Sequence, residues 1–153
     1  MNNIKTSVIF SFLIIFVSAG ITKSKNVTLL LYRGDNVEKK VVDSEIIELN
    51  LRGARLTKIE GLDKLYKLKK LNLRGNQLIK IEGLGKLNNL KELHLSRNQL
   101  TRIEGLDKLT ELKKLRLDHN KLTKIEGLDK LTNLDELGLN ANQLTKIGGL
   151  PVL

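Results

Sequence analysis

His94 and His119 are the residues best suited by type to move a proton or hold a metal, and Ser96 is the hydroxyl that lies beside His94 in the sequence. Set into the 22-residue repeat of this chain, the two histidines fall three residues out of step on neighbouring strands. That offset separates their Cα atoms by about 10 Å or more. No third ligand has a matching spacing, so the sequence predicts no metal site. A serine nucleophile would need a base, an acid to orient it and an oxyanion hole, and nothing places the last two near Ser96. Cysteine is absent, which excludes disulfides, thiolate zinc sites, thiol nucleophiles and a lipid-modified N-terminal cysteine. The expectation is a protein without catalytic residues or cofactors.

What remains for function is binding. Lysine and arginine number 27 against 17 aspartates and glutamates, a formal net charge of +10. That balance suits nucleic acid, anionic polysaccharide or an anionic membrane surface. Aromatic residues make up only 3%, and Phe10, Phe12 and Phe16 all sit near the start, so stacking platforms are missing and the sequence argues against nucleic acid. Two short motifs have plain structural readings. Arg33-Gly34-Asp35 matches an integrin-recognition tripeptide, but with Asn36 it also makes a good turn. Asn26-Val27-Thr28 is a glycosylation acceptor only where the host has that machinery.

The first residues carry a targeting pattern. Lys5 precedes a run from Val8 to Val17 that is apolar except for Ser11, and Ser18, Ala19 and Gly20 follow. Basic, apolar and small residues in that order form a secretory signal. Its apolar run is about ten residues, against the roughly twenty that a membrane-spanning helix needs. Residues 1–19 are therefore assigned as a signal peptide cut after Ala19, with an uncleaved anchor as the alternative, and the mature chain is expected in a secreted, periplasmic or other extracytoplasmic location.

Residues 46–153 repeat. Leu49, Leu71, Leu93, Leu115 and Leu137 recur every 22 residues, and Leu51, Leu73, Leu95, Leu117 and Leu139 run in parallel. This self-similarity marks a solenoid. Five units follow, from 46, 68, 90, 112 and 134, the last one truncated, and residues 20–45 form a flanking or capping segment. Leu71-Asn72-Leu73 alternates with period two, a short strand with its leucines facing one side. Gly75-Asn76 turns the chain, and Leu78 to Leu87 returns it with apolar residues at intervals of three. Strands that recur after so long a return lie parallel. Asn76, Asn98, Asn120 and Asn142 recur where each strand turns into the core, where stacked loops would have to satisfy their amides. The fold class expected is an α/β solenoid with strands on one face and short 3-10 or coil returns on the other.

The pattern L-x-x-L-x-L-x-x-N-x-L-x-x-I-x-G-L-x-x-L, present as Leu68 to Leu87, resembles the 22-residue class of leucine-rich repeats, which includes bacterial internalins and a regulatory subunit of a protein phosphatase. The resemblance implies a horseshoe segment with strands on its concave face and a protein partner bound there. The family often caps its ends, whereas here Val27 to Ile47 precede the repeats and the chain stops at Leu153, so self-association through the last unit is a further expectation.

On the solvent side of the strands, Glu48, Lys70, Glu92, Lys114 and Glu136 alternate in sign and are expected to pair sideways. The next two columns, Asn50, Asn72, His94, Arg116, Gly138 and Arg52, Arg74, Ser96, Asp118, Asn140, differ from unit to unit. Recognition needs such unit-specific residues, and the candidate partner-binding set is Lys70, Asn72, Arg74, His94, Arg116 and Asp118, with Ser96 read as facing solvent. Simple drift of a solvated face is the alternative. The leading function is a secreted protein-interaction module; its rivals are an intracellular regulatory adaptor and a binder of anionic glycan or lipid surfaces.

Overall fold

The computed structural model describes residues 26–148 and Leu150; the assigned signal segment and Pro151 lie outside them. Five three-residue strands, β3 (Glu48–Asn50), β5 (Lys70–Asn72), β6 (Glu92–His94), β7 (Lys114–Arg116) and β9 (Glu136–Gly138), pair in parallel in that order. The register is that of the repeat, with Leu49, Leu71, Leu93, Leu115 and Leu137 side by side. The ladder runs past the strands at both ends, as in Lys91 N–H to Lys69 C=O at 2.8 Å and Leu73 N–H to His94 C=O at 2.8 Å.

Alternation decides which side is core. Leu71, Leu93 and Leu115 are at most 1% exposed, as are Leu73, Leu95 and Leu117, while the residues between them face out. The returns add Leu78, Leu84 and Leu87 and their equivalents in the next two units, all buried. Each such leucine contributes roughly 1.5–3 kcal/mol relative to exposure. Helix is nearly absent: one 3-10 turn, Leu62–Lys64, appears among the described residues, and the corresponding Leu84–Leu87 segment closes with a single Leu87 N–H to Leu84 C=O bond. Short strands also occur on the return side: β4 (Lys58–Glu60), and β8 (Lys124–Ile125) paired in parallel with β10 (Lys146–Ile147).

The recurrent asparagines form the expected ladder. Asn98 Oδ1 accepts from Leu78 N–H at 3.1 Å, and its amide donates to Leu73 C=O at 3.0 Å and Leu95 C=O at 2.9 Å, tying two units together. Asn76, Asn120 and Asn142 repeat that three-bond pattern. The residue just before each ladder asparagine, and before Ala54 in the first unit, is left-handed, at Gly53, Gly75, Arg97, His119 and Ala141 (φ 53 to 71°), although only the first two are glycines.

The flanking segment is an antiparallel hairpin, β1 (Asn26–Arg33) and β2 (Asn36–Asp43), turning at Gly34-Asp35. β1 also pairs antiparallel with β4, setting Leu31 opposite Ile59. It thereby lays Val27, Leu29 and Leu31 over the first unit, all at most 8% exposed. At the other end Leu137, Leu139 and Leu144 pack against the core only partly, whereas their equivalents one unit earlier, Leu115, Leu117 and Leu122, are fully buried.

Candidate interaction surface

The strand pleat that buries the leucines presents the three solvent-side columns as adjacent rows. In the first, Lys70 Nζ lies 3.3 Å from Glu48 and 3.7 Å from Glu92, and Lys114 Nζ lies 3.6 Å from Glu136. The alternating ladder is thus largely self-satisfied, and Lys70 spends its charge inside the protein. Such exposed pairs are worth little each, about 0–1 kcal/mol.

The second and third columns divide into two halves. Toward the C-terminal end, Arg116 ion-pairs with Glu136, and Asp118 accepts from Ser96 Oγ–H at 3.3 Å and from Asn140 N–H at 3.1 Å. Both side chains lean across Gly138: a Cβ there would lie 2.5 Å from Asp118 Oδ2 and 2.8 Å from Arg116 Cδ. The glycine in the second column is what lets them close over that strand. Ser96 is only 8% exposed, so the expectation that it faces solvent is corrected: Asp118 reaches back over it from the next unit.

Toward the N-terminal end the arrangement is open. Asn50 and Asn72 each accept, through Oδ1, the backbone N–H two residues on, from Arg52 and Arg74, at 3.1 Å in both cases. These side-chain turns fix the backbone from which each arginine projects. Leu51 N–H bonds Asn72 C=O at 2.8 Å and Gly53 N–H bonds Arg74 C=O at 2.9 Å, which sets Arg52 directly beside Arg74. Neither has an ion pair among the described residues. His94 follows Asn72 in register and is half-buried. Desolvation holds its imidazole below the ordinary value of 6.5; Glu92 opposes that, while Arg116, Lys114 and Arg74 add to it. Asn72, Arg74, His94, Arg116 and Asp118 therefore do share one face with Lys70. Arg116 and Asp118 are tied to their own chain, and Arg52, absent from the candidate set, is free. Its equivalence to Arg74 in the repeat was the available signal.

His119 is exposed on the left-handed turn, out of register with His94. Among the described residues no three His, Cys, Asp or Glu side chains converge on a point. On the return side one basic row is matched within the first four units: Lys58–Glu60 at 2.6 Å, Lys80–Glu82 at 2.5 Å, Arg102–Glu104 at 2.8 Å and Lys124–Glu126 at 2.9 Å. In the other row Lys86 pairs with Asp63 at 3.4 Å, while Lys64, Lys108 and Lys130 have no ion pair among the described residues. The Arg33-Gly34-Asp35 tripeptide is the hairpin tip, where Arg33 Nε donates to Ala54 C=O at 2.7 Å and its other nitrogen pairs with Glu38. That arginine locks the cap to the first unit.

The family model described as Leucine Rich repeats (2 copies) matches residues 44–86, 66–108, 88–130 and 110–152. No curated protein matches. Among solved structures, the chain is similar to the internalin InlF of Listeria monocytogenes, with 25% identity and a TM-score of 0.53 over 70% of this chain and 39% of that one. It is also similar to the functional domain of InlJ from the same organism, which includes a cysteine ladder, with 23% identity and a TM-score of 0.56 over 74% of this chain and 30% of that one. This chain spans well under half the length of either.

Proposed function

The chain belongs to the leucine-rich repeat family, and from that premise we propose that it is a secreted protein-interaction module that binds its partner on the face formed by β3, β5, β6, β7 and β9. Repeats of this family serve as interaction scaffolds rather than as catalysts. The observation that carries the reading is the contrast between the two faces. The first four returns repeat one motif and pair its Lys/Arg with a Glu two residues on, as in Lys80–Glu82, whereas the strand face changes from Asn72 to His94 to Arg116 along a single row. Specificity resides in groups that differ and are held on a stiff frame. Secretion rests on the sequence of residues 1–19; among the described residues no helix is long and apolar enough to cross a membrane.

The experiment is capture of a partner by the purified protein and by strand-face and return-face variants. Asn72→Arg and His94→Ala are expected to weaken capture about tenfold, and Lys108→Gln to leave it unchanged. Loss of capture with the return-face variant alone would overturn the assignment. A start at Gly20 in protein recovered from the medium would establish export, and an uncut cytoplasmic chain would reverse it.

A further inference from the structure

We infer that the N-terminal half of this face, centred on Arg52 and Arg74, is built for an acidic segment of the partner protein, two or more carboxylates carried on an extended peptide. The inference rests on the strand-face reading above and narrows it to a chemistry.

The N-terminal half of the strand face holds positive charge that no group among the described residues neutralises. Every carboxylate on the strand face has a partner within the chain: Glu48 and Glu92 share Lys70, Glu136 takes Lys114 and Arg116, and Asp118 holds Ser96 and Asn140. Two guanidiniums are left over, and they are adjacent. Neighbouring parallel strands are about 4.8 Å apart, and like charges side by side across a sheet are destabilising. Unpaired, Arg52 and Arg74 cost the fold stability, which a pair of carboxylates at matching separation would return. Guanidinium is also the group whose fixed fork takes a carboxylate through two hydrogen bonds, where an ammonium offers a point charge. Asn50 and Asn72 hold both backbones in the same turn, so the two arginines project from matching backbone before any ligand arrives. Pre-organisation of that kind lowers the ordering cost of binding.

The same map selects a peptide over a dense polyanion. A sulfated glycan or an anionic bilayer spread over the face would bring its charges against Glu48 and Glu92, which stand two columns from the arginines on the same sheet. Discrete carboxylates on a peptide can address Arg52 and Arg74 and leave that column undisturbed. The C-terminal half offers no such opening, because Arg116 and Asp118 are already closed over Gly138.

The test titrates the full chain with a fluorescent oligoglutamate peptide at near-physiological salt, with a heparin fragment and phosphatidylglycerol vesicles as parallel probes. The paired substitution Arg52→Gln and Arg74→Gln is expected to weaken peptide binding at least about tenfold. The paired return-face substitution Lys108→Gln and Lys130→Gln, which removes the same formal charge, should leave it within about twofold. Reversal to Arg52→Glu and Arg74→Glu should transfer the preference to oligolysine. Circular dichroism of each variant separates loss of binding from loss of fold. Equal weakening by both paired substitutions, or heparin or vesicles bound through the arginines more tightly than the peptide, overturns the inference. If partner capture is lost with Asn72→Arg while oligoglutamate ignores the arginines, the acidic-segment inference falls and the strand-face function stands; if neither strand-face change affects capture, the function itself falls.

Discussion

Asn98, 7% exposed, makes its three shortest hydrogen bonds to backbone groups of buried leucines, with a longer fourth to Ser96 C=O. Truncation to alanine strands Leu78 N–H and leaves Leu73 C=O and Leu95 C=O with one bond each, from Asn76 and Asn120. A stranded donor costs about 1–3 kcal/mol and a lost bond about 1 kcal/mol, so Asn98→Ala should lower stability by about 2–4 kcal/mol. Ser96→Ala removes one bond to Asp118 and should cost about 1 kcal/mol. Denaturation midpoints measure both; similar midpoints would mean that the ladder amide is not the tie between units. His94 adds a pH dependence whose sign follows from burial. Its folded-state pKa lies below 6.5, so the folded protein binds a proton less readily than the unfolded chain. The stability that the neutral imidazole contributes is complete above the unfolded value and is lost as pH falls through the folded one. Between about pH 5 and pH 7 the wild type should therefore gain more stability than His94→Gln. Parallel curves for the two would contradict the desolvated site.

Among the elements, the hairpin makes the sharpest demand on a single glycine. Gly61 sits at φ +89° with Thr28 C=O only 2.8 Å from where a Cβ would stand, because β1 docks against β4 there. Gly105, its equivalent in the third unit, has φ +71° and nothing within 4 Å. Both pay about 1–2 kcal/mol for a left-handed alanine. Gly61→Ala must in addition push β1 off the first unit, uncovering Leu29 and Leu31. It should therefore destabilise clearly more than Gly105→Ala, and amide exchange in residues 26–43 should accelerate only in the former. Equal stabilities would show that the cap tolerates a wider gap.

Over the whole molecule, stability is a sum of units that none could supply alone, because ordering a 22-residue backbone outweighs the burial that one unit offers. Position along the stack therefore sets the cost of a cavity. Leu115→Ala, in the fully buried fourth unit, should cost about 2–5 kcal/mol. Leu139→Ala, in the half-covered fifth, should cost distinctly less. A reversed order in urea melts would mean that something covers the fifth unit in solution, as the expected self-association would. The far-ultraviolet spectrum should lack the paired minima of long α-helix, since the described residues hold one 3-10 turn and no longer helix.

The 22-residue period was enough by itself to dictate parallel strands, their register and the asparagine ladder, because each depends on chemistry repeated at fixed spacing and reinforced by every neighbour. The alternating charges of Glu48 to Glu136 were legible for the same reason. Features that occur once were beyond the period. The pairing of β1 with β4 joins residues of unrelated sequence, and the left-handed turns at Arg97, His119 and Ala141 are imposed by the stack on residues that would not choose them. Which strand-face charges are free was likewise decided only in three dimensions. Asp118 and Arg116 look as available as Arg74 in the sequence, but a missing side chain at Gly138 lets them fold inward onto Ser96 and Glu136, and Arg52 and Arg74 have no such neighbours to spend their charge on.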